Sequence, residues 1–253
     1  MTLKQFVRAV TPPVIYSGLY RLKGLIPPPA TVLPENLGGF ANRGKGKFPC
    51  HDLLLMQRDR QNYVYCGEYI RNSCLELIAY EIGEFDIKGS VAELGVFQGD
   101  FARLINAAFP GRKLYLFDTF EGFDDRDVNE GKEKGVADNY QDWSNTSVEL
   151  VLKKMPYPKD CIVRKGFFPE TASDVDDTFA FASIDCDLYA PILAGLRWFY
   201  DRLVPGGSLM IHDYNNDEYP GTKQAVREFC AELGLPYFQM VDAAGSAVIT
   251  KAR

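Results

Sequence analysis

Two apolar runs in this chain end on groups that bind a cation or take a proton. Phe181-Ala-Ser-Ile-Asp185-Cys-Asp187-Leu-Tyr189 stops on two carboxylates, and Ser208-Leu-Met-Ile-His212-Asp213-Tyr214 stops on an imidazole and a carboxylate. Charges are costly to bury, so strand-like runs that end on them point to the edge of a sheet where ligands bind. If the two runs are neighbouring strands, Asp185, His212 and Asp213 converge on one point with Asp187 beside it. That is the donor set of a divalent-metal site with a candidate base next to it.

A second group surrounds a glycine turn, Val91-Ala-Glu93-Leu-Gly95-Val-Phe97-Gln-Gly99. Glycine lets the backbone pass close to a ligand at a helix N-terminus. The spacing is E-x-G-x-x-x-G, not the G-x-G-x-x-G of dinucleotide binders, which argues against a nicotinamide-dependent oxidoreductase. Glu93 favours a ligand with a cationic head such as an amino group. Asp118 ends the next apolar run, Leu114-Tyr-Leu-Phe117, where an acid accepts hydrogen bonds from a ribose diol. An adenosine ligand bearing an ammonium group is S-adenosylmethionine.

The elements that must position these groups alternate. A helix is expected over 53–82, then strands over 90–94, 113–117, 162–166, 179–184 and 208–211. Helices are expected over 100–109, to 154 after a capping box at Thr146-Ser-Val-Glu149, over 191–203 and over 222–233. A closing hairpin is expected over 237–241 and 247–251. Strands alternating with helices imply an α/β, Rossmann-like fold: a mostly parallel seven-stranded sheet with an antiparallel C-terminal hairpin and helices on both faces. Residues 121–145 are long and polar enough for a substrate lid. Tyr140 and Trp143 within them either stack on a sugar ring or belong to a solvated excursion. His51 is expected to be a cap or surface residue, and Trp198 a core residue. Cys186 should point opposite to its two acidic neighbours on an extended backbone.

Composition bounds the remaining choices. A net charge of -6 argues against general nucleic-acid binding, which needs a basic surface. The six cysteines contain no C-x-x-C pair and fit buried thiols in a reducing cytoplasm better than a disulfide framework. The stretch 1–30 is broken by Pro12-Pro13 and Pro27-Pro28-Pro29, which makes it a poor signal peptide. It is basic and apolar, however, with Lys4, Arg8, Arg21 and Lys23 among large hydrophobic residues. Two readings stay open: an amphipathic segment resting on an anionic membrane surface, or a helix docked on its own domain or a sister subunit. Residues 1–50 are therefore set apart as an extension, and 51–253 as the catalytic domain.

From Asp52 to Lys251 the sequence resembles the macrocin O-methyltransferases (the TylF type), class I S-adenosylmethionine-dependent enzymes that methylate sugar hydroxyls. Seven motifs carry the resemblance in order: Ala92-Glu-Leu-Gly-Val-Phe-Gln-Gly99, Phe117-Asp-Thr-Phe-Glu-Gly-Phe123, Gly166-Phe-Phe-Pro-Glu-Thr171, Ile184-Asp-Cys-Asp-Leu-Tyr189, Leu203-Val-Pro-Gly-Gly207, Ile211-His-Asp-Tyr214 and Pro220-Gly-Thr-Lys-Gln-Ala-Val226. The resemblance implies a divalent metal, usually Mg²⁺, and an oligomer, most simply a dimer. It implies that Glu93 and Gly95 lie by the methionine and sugar parts of the cofactor, that Asp118 holds the ribose and that Gly166 and Phe167 line the adenine. Phe97, Gly99, Thr119 and Asp185 would complete the cofactor contacts, and Tyr189 and Tyr214, beside the acids, would face the acceptor.

The same resemblance makes Asp185 and Asp213 metal ligands and Asp187 the general base. The family generally has Asp-Asp-Tyr where this chain has His212-Asp213-Tyr214. Mg²⁺ prefers oxygen ligands, so either His212 faces elsewhere or the site takes Mn²⁺ or another metal tolerant of imidazole. The expected partner is a sugar-containing acceptor, lipid-linked or at the cell surface in view of the basic, apolar N-terminus. The alternative is a methyltransferase-like protein that binds the cofactor without metal-dependent catalysis. Methyl transfer from a sulfonium to an alcohol is an in-line displacement, so positioning carries much of it. A metal and a nearby carboxylate would supply the rest by stabilising an alkoxide and taking its proton.

Overall fold

A computed structural model describes residues 69–136 and 141–253. The N-terminal extension, His51, Tyr140 and the first part of the helix expected over 53–82 lie outside the described residues.

The described chain opens with α1 (Tyr69–Glu84), followed by β1 (Ser90–Leu94), α2 (Asp100–Ala108) and β2 (Leu114–Asp118). The polar region expected to be a lid contains a helix, α3 (Asp125–Glu133), capped by the Asp124 carboxylate accepting from Arg126 N. Next come α4 (Val148–Lys154), β3 (Cys161–Lys165), β4 (Phe179–Ile184), α5 (Tyr189–Arg202), β5 (Leu203–Ile211), α6 (Pro220–Leu233), β6 (Phe238–Gln239) and β7 (Ala247–Thr250). The cap of α4 is Ser147, whose hydroxyl accepts from Leu150 N, one residue later than the expected capping box. Thr146 instead hydrogen-bonds the carbonyl of Phe97 and ties the segment to the glycine turn.

The seven strands form one sheet in the order β3-β2-β1-β4-β5-β7-β6. The first five are parallel, while β7 runs antiparallel to both β5 and β6. β1 and β4 are buried along their whole length, because apolar layers cover both faces of the sheet. On one face Leu75, Ile82, Leu104 and Ile105 pack with Val91, Leu116, Phe181 and Met210. On the other, Ile192, Leu196, Phe199 and Phe229 pack with Leu94, Phe117, Ile184 and Ile211. Trp198 packs against that second cluster, as expected. The winding reverses between β1 and β4, which opens a crevice at their carboxyl ends.

Candidate active site

The crevice is a cavity of about 340 Å³, inside the range of roughly 300–1,000 Å³ usual for small-molecule sites. Gly95 makes the close approach of its walls physically accessible. Its φ is +84°, and a Cβ there would lie 1.9 Å from the carbonyl oxygen of Asp185. Only glycine lets the end of β1 pass this near the end of β4. The turn is held from below by Asp118, whose Oδ2 accepts from Val96 N at 2.7 Å and Phe97 N at 2.8 Å, and whose Oδ1 accepts from Phe120 N at 2.6 Å. A carboxylate has about four lone-pair sites, so Oδ1 keeps acceptor capacity for a further donor. Burial raises the Asp118 pKa despite these three backbone donors.

Glu93 is 1% exposed, and its Oε2 has no hydrogen-bond partner. Burial, reinforced by the charge on Asp185, pushes its pKa well up. A buried carboxylate with an open acceptor is matched to a cationic donor, as the amino group of a methionine moiety would be. Glu93→Gln is expected to weaken S-adenosylmethionine binding by about 10–100-fold, the worth of one charge-assisted hydrogen bond. The melting temperature should hold or rise, because burial already disfavours the charged form that the neutral amide replaces. Calorimetry and thermal denaturation separate the two effects, and unchanged affinity would count against this role for Glu93.

At the other end of the turn Gly166 and Phe167 line the cavity, as does Thr119. The Arg126 guanidinium sits 3.5 Å from the centroid of the Phe167 ring. Trp143 also lines the cavity and meets the Phe97 ring edge-on at 4.9 Å between centroids.

The acid-tipped strands are neighbours, with Ile184 opposite Ile211 in the β4–β5 register. This sets Asp185 beside His212. His212 Nδ1 lies 3.1 Å from Asp185 Oδ1 and 2.9 Å from Asp213 Oδ2. One donor atom from each of the three residues falls within 4.8 Å of the others. Asn216 donates to Asp213 Oδ1 at 3.0 Å, and Arg71, from α1, donates to Asp185 Oδ2 at 2.9 Å and to Ser183 Oγ at 3.3 Å. The Arg71 guanidinium also lies over the Phe101 ring, 3.7 Å from its centroid.

Asp187 and Asp213 both adopt left-handed backbone, with φ of 59° and 55°. Aspartate tolerates this region better than most residues, and such geometry is concentrated at functional sites. Burial alone would raise the Asp185 pKa, but His212 and Arg71 hold it well below the usual carboxylate range. Burial would lower His212, yet the Asp185 charge and hydrogen bonds to both carboxylates push it up to about 12. Asp187 goes the other way: burial, then the charges on Asp185 and Asp213, raise it well above an ordinary carboxylate. The residues present fit a divalent cation. Two carboxylates and an imidazole nitrogen point at one place, and a cation there would take the position of the Nδ1 proton that both carboxylates accept.

Of the residues named from sequence, Glu93, Gly95, Phe97, Asp118, Thr119, Gly166, Phe167, Asp185, Asp187, His212, Asp213 and Trp143 come together in this cavity. Three do not line it. Gly99 is the N-cap of α2, and a Cβ there would press on Val151 at 2.9 Å, so its part is packing. Tyr189 is buried with its hydroxyl on Glu228 Oε2 at 2.6 Å, and Tyr214 is buried with its hydroxyl 2.9 Å from that of Tyr237. Cys186 borders the same cavity as its acidic neighbours and also packs against the second apolar cluster. The left-handed turn at Asp187 and the Leu188 N to Cys186 O hydrogen bond end the extended backbone just after it. Sequence reasoning missed Arg71, Phe101 and Asp127. Arg71 lies in a helix whose composition gives no sign that one face carries a guanidinium into the cavity.

An open sheet with a ligand crevice at its switch point, a glycine turn braced by an acid and a carboxylate-rich far end define a class I methyltransferase. The chain belongs to the TylF macrocin O-methyltransferase family, whose model matches residues 59–248, and it is therefore an S-adenosylmethionine-dependent O-methyltransferase. Among solved structures, the O-methyltransferase NovP aligns with a TM-score of 0.60 and 19% identity over 73% of this chain and 81% of its own. The calicheamicin methyltransferase CalS11 gives 0.59 and 20% identity over 96% of each chain. At these identities the likeness speaks for the fold. No curated protein matches the sequence. No described helix is long and apolar enough to cross a membrane.

Proposed function

We propose that this enzyme methylates a hydroxyl of a sugar in a glycan or glycosylated natural product, and that it works with a divalent metal ion held by Asp185, Asp213 and His212. The observation that carries the metal reading is the convergence of these three donors within 4.8 Å beside Asp187, at the far end of the cavity from the adenine side. A TDP-rhamnose 3'-O-methyltransferase, CalS11, shares the fold at 18% identity, which supports a sugar acceptor. An imidazole ligand favours Mn²⁺ or a similar borderline ion over Mg²⁺.

When bound, the ion would stabilise the alkoxide forming at the acceptor oxygen, and S-adenosylmethionine would bring the methyl group on a sulfonium that favours in-line attack. The chain's own residues do the rest. Glu93 holds the methionine amino group, Asp118 the ribose, and Gly166 and Phe167 the adenine. Asp187 takes the hydroxyl proton as the new C–O bond forms and the methyl–sulfur bond breaks, with S-adenosylhomocysteine as the leaving group. Trp143 gives the sugar ring an apolar wall. Residues 51–253 form the catalytic domain, while residues 1–50 bring the enzyme to a membrane-bound acceptor or to a second copy in a dimer.

Incubation with methyl-labelled S-adenosylmethionine, Mn²⁺ and parallel panels of glycosides and catechols tests the acceptor class. Label is expected on sugar hydroxyls. Label on catechols alone would sink the sugar reading.

A further inference from the structure

Three carboxylates on the cavity wall have no part in the reaction derived above, and two of them are engaged elsewhere: Asp100 pairs with Lys154 and Asp124 caps α3. Asp127 lies in the first turn of α3 and lines the same cavity as Asp187 and Trp143. It is half-buried, and among the described residues nothing donates a hydrogen bond to its side chain. Arg126, next to it, is spent elsewhere: Nε and Nη2 go to Asp124 at 2.8 and 2.9 Å, and Nη1 goes to Glu170 at 2.8 Å. α3 packs against α5, the helix that follows the reacting carboxylates. Val128, the next residue of α3, packs with Leu188 and Tyr219, and Leu188 directly follows Asp187. Asp127 therefore stands at the reacting end of the cavity and not the adenine end.

Asp185, Asp213 and His212 are assigned to the metal ion and Asp187 to the proton, so Asp127 is the carboxyl at that end left for the acceptor; the cationic side chains lining the cavity among the described residues, Arg71 and His212, are both bonded to Asp185 and not to it. An acceptor bearing hydrogen-bond donors would find open carboxylate oxygens there. One bearing a carboxylate or phosphate on the reacting ring would meet like charge in a partly desolvated space, where repulsion is strongest.

We propose that Asp127 is a specificity-determining residue: its carboxyl receives a hydroxyl or ammonium hydrogen of the ring being methylated and turns away a ring that carries an anionic group. The substrate class is then a neutral or amino sugar. Burial, with Asp124 and Glu130 behind it, pushes the Asp127 pKa up to about 7, which fits a carboxyl aimed into the cavity and awaiting a donor.

The inference rests on the sugar acceptor proposed above, and one experiment separates the two. The full chain, loaded with S-adenosylhomocysteine and Mn²⁺, is titrated with methyl glucosaminide, methyl glucoside and methyl glucuronide, with binding followed by saturation-transfer NMR. The glucosaminide and glucoside are expected to bind about tenfold or more tightly than the glucuronide, with the glucosaminide tightest. Asp127→Asn should bring the three within about threefold of one another, and Asp127→Glu should keep their order, with S-adenosylhomocysteine affinity unchanged in both. Equal binding of the three glycosides to the parent enzyme, or an undiminished spread in Asp127→Asn, overturns the role of Asp127. Binding of S-adenosylhomocysteine with no binding of any glycoside overturns the sugar acceptor itself.

Discussion

Asp187→Asn is expected to lower kcat by about 10²–10⁴, the usual contribution of a positioned general base, while S-adenosylmethionine binding stays within a few-fold of the parent. The substitution is a clean one for structural reasons. Asp187 sits at a φ of 59°, and asparagine is among the few residues that accept this backbone region readily. The amide also keeps the shape of the carboxyl and can still hydrogen-bond Asp213, with which Asp187 interacts through its side chain. What disappears is the capacity to take a proton. A side chain that merely capped α5 would not behave this way, because an asparagine cap is as good as an aspartate one. The N-cap of α5 is Leu188, without a side-chain bond, so a capping role for Asp187 is not what the backbone shows. Single-turnover kinetics with saturating cofactor reads the chemical step directly. A fall of less than about tenfold would remove Asp187 from the proton-transfer role.

Much of the site was legible because strand ends are legible. The runs to Ile184 and Ile211 are apolar, short and followed at once by charge, and the parallel register that sets them opposite each other follows from the alternation of strands and helices. Gly95 and Asp118 were legible for the same reason, each at the end of a buried strand. Features set by turns and by distant packing were not. Period-two alternation runs through β4, but it gives no sign that Asp187 takes left-handed backbone and turns the chain there. Tyr189 and Tyr214 adjoin the acids in sequence, yet their rings are claimed by packing around α5 and α6. Arg71 is more than a hundred residues from Asp185 and reaches it only because α1 covers that face of the sheet. No local pattern carries that information. The polar stretch around Asp127 shows charge in the sequence, but only the packing of α3 decides which of its carboxylates faces the cavity.

Removing the proposed metal ligands is expected to have the second of the two largest effects, and the choice of residue matters. Asp185→Ala would break the ion pair with the Arg71 guanidinium, which is 4% exposed, and breaking a buried ion pair by removing one member costs about 3–5 kcal/mol. Lost activity in that variant would mix misfolding with lost chemistry. Asp213 is the better probe, since without it His212 still keeps Asp185 as a partner and Asn216 is neutral. Asp213→Ala is expected to reduce kcat/KM by about 10³-fold, the several kcal/mol that a Lewis acid contributes to a developing alkoxide. EDTA should do the same to the parent enzyme, and full turnover in chelator would end the metal proposal. The departure at position 212 gives the sharper test. If its imidazole is a ligand, Mn²⁺ should restore the chelated parent better than Mg²⁺, because nitrogen suits a borderline ion and Mg²⁺ demands oxygen. His212→Asp should then reverse the order by turning the donor set into three carboxylates. A metal preference that stays the same in His212→Asp would mean that the imidazole serves only to orient Asp185 and Asp213, the two oxygens it already touches.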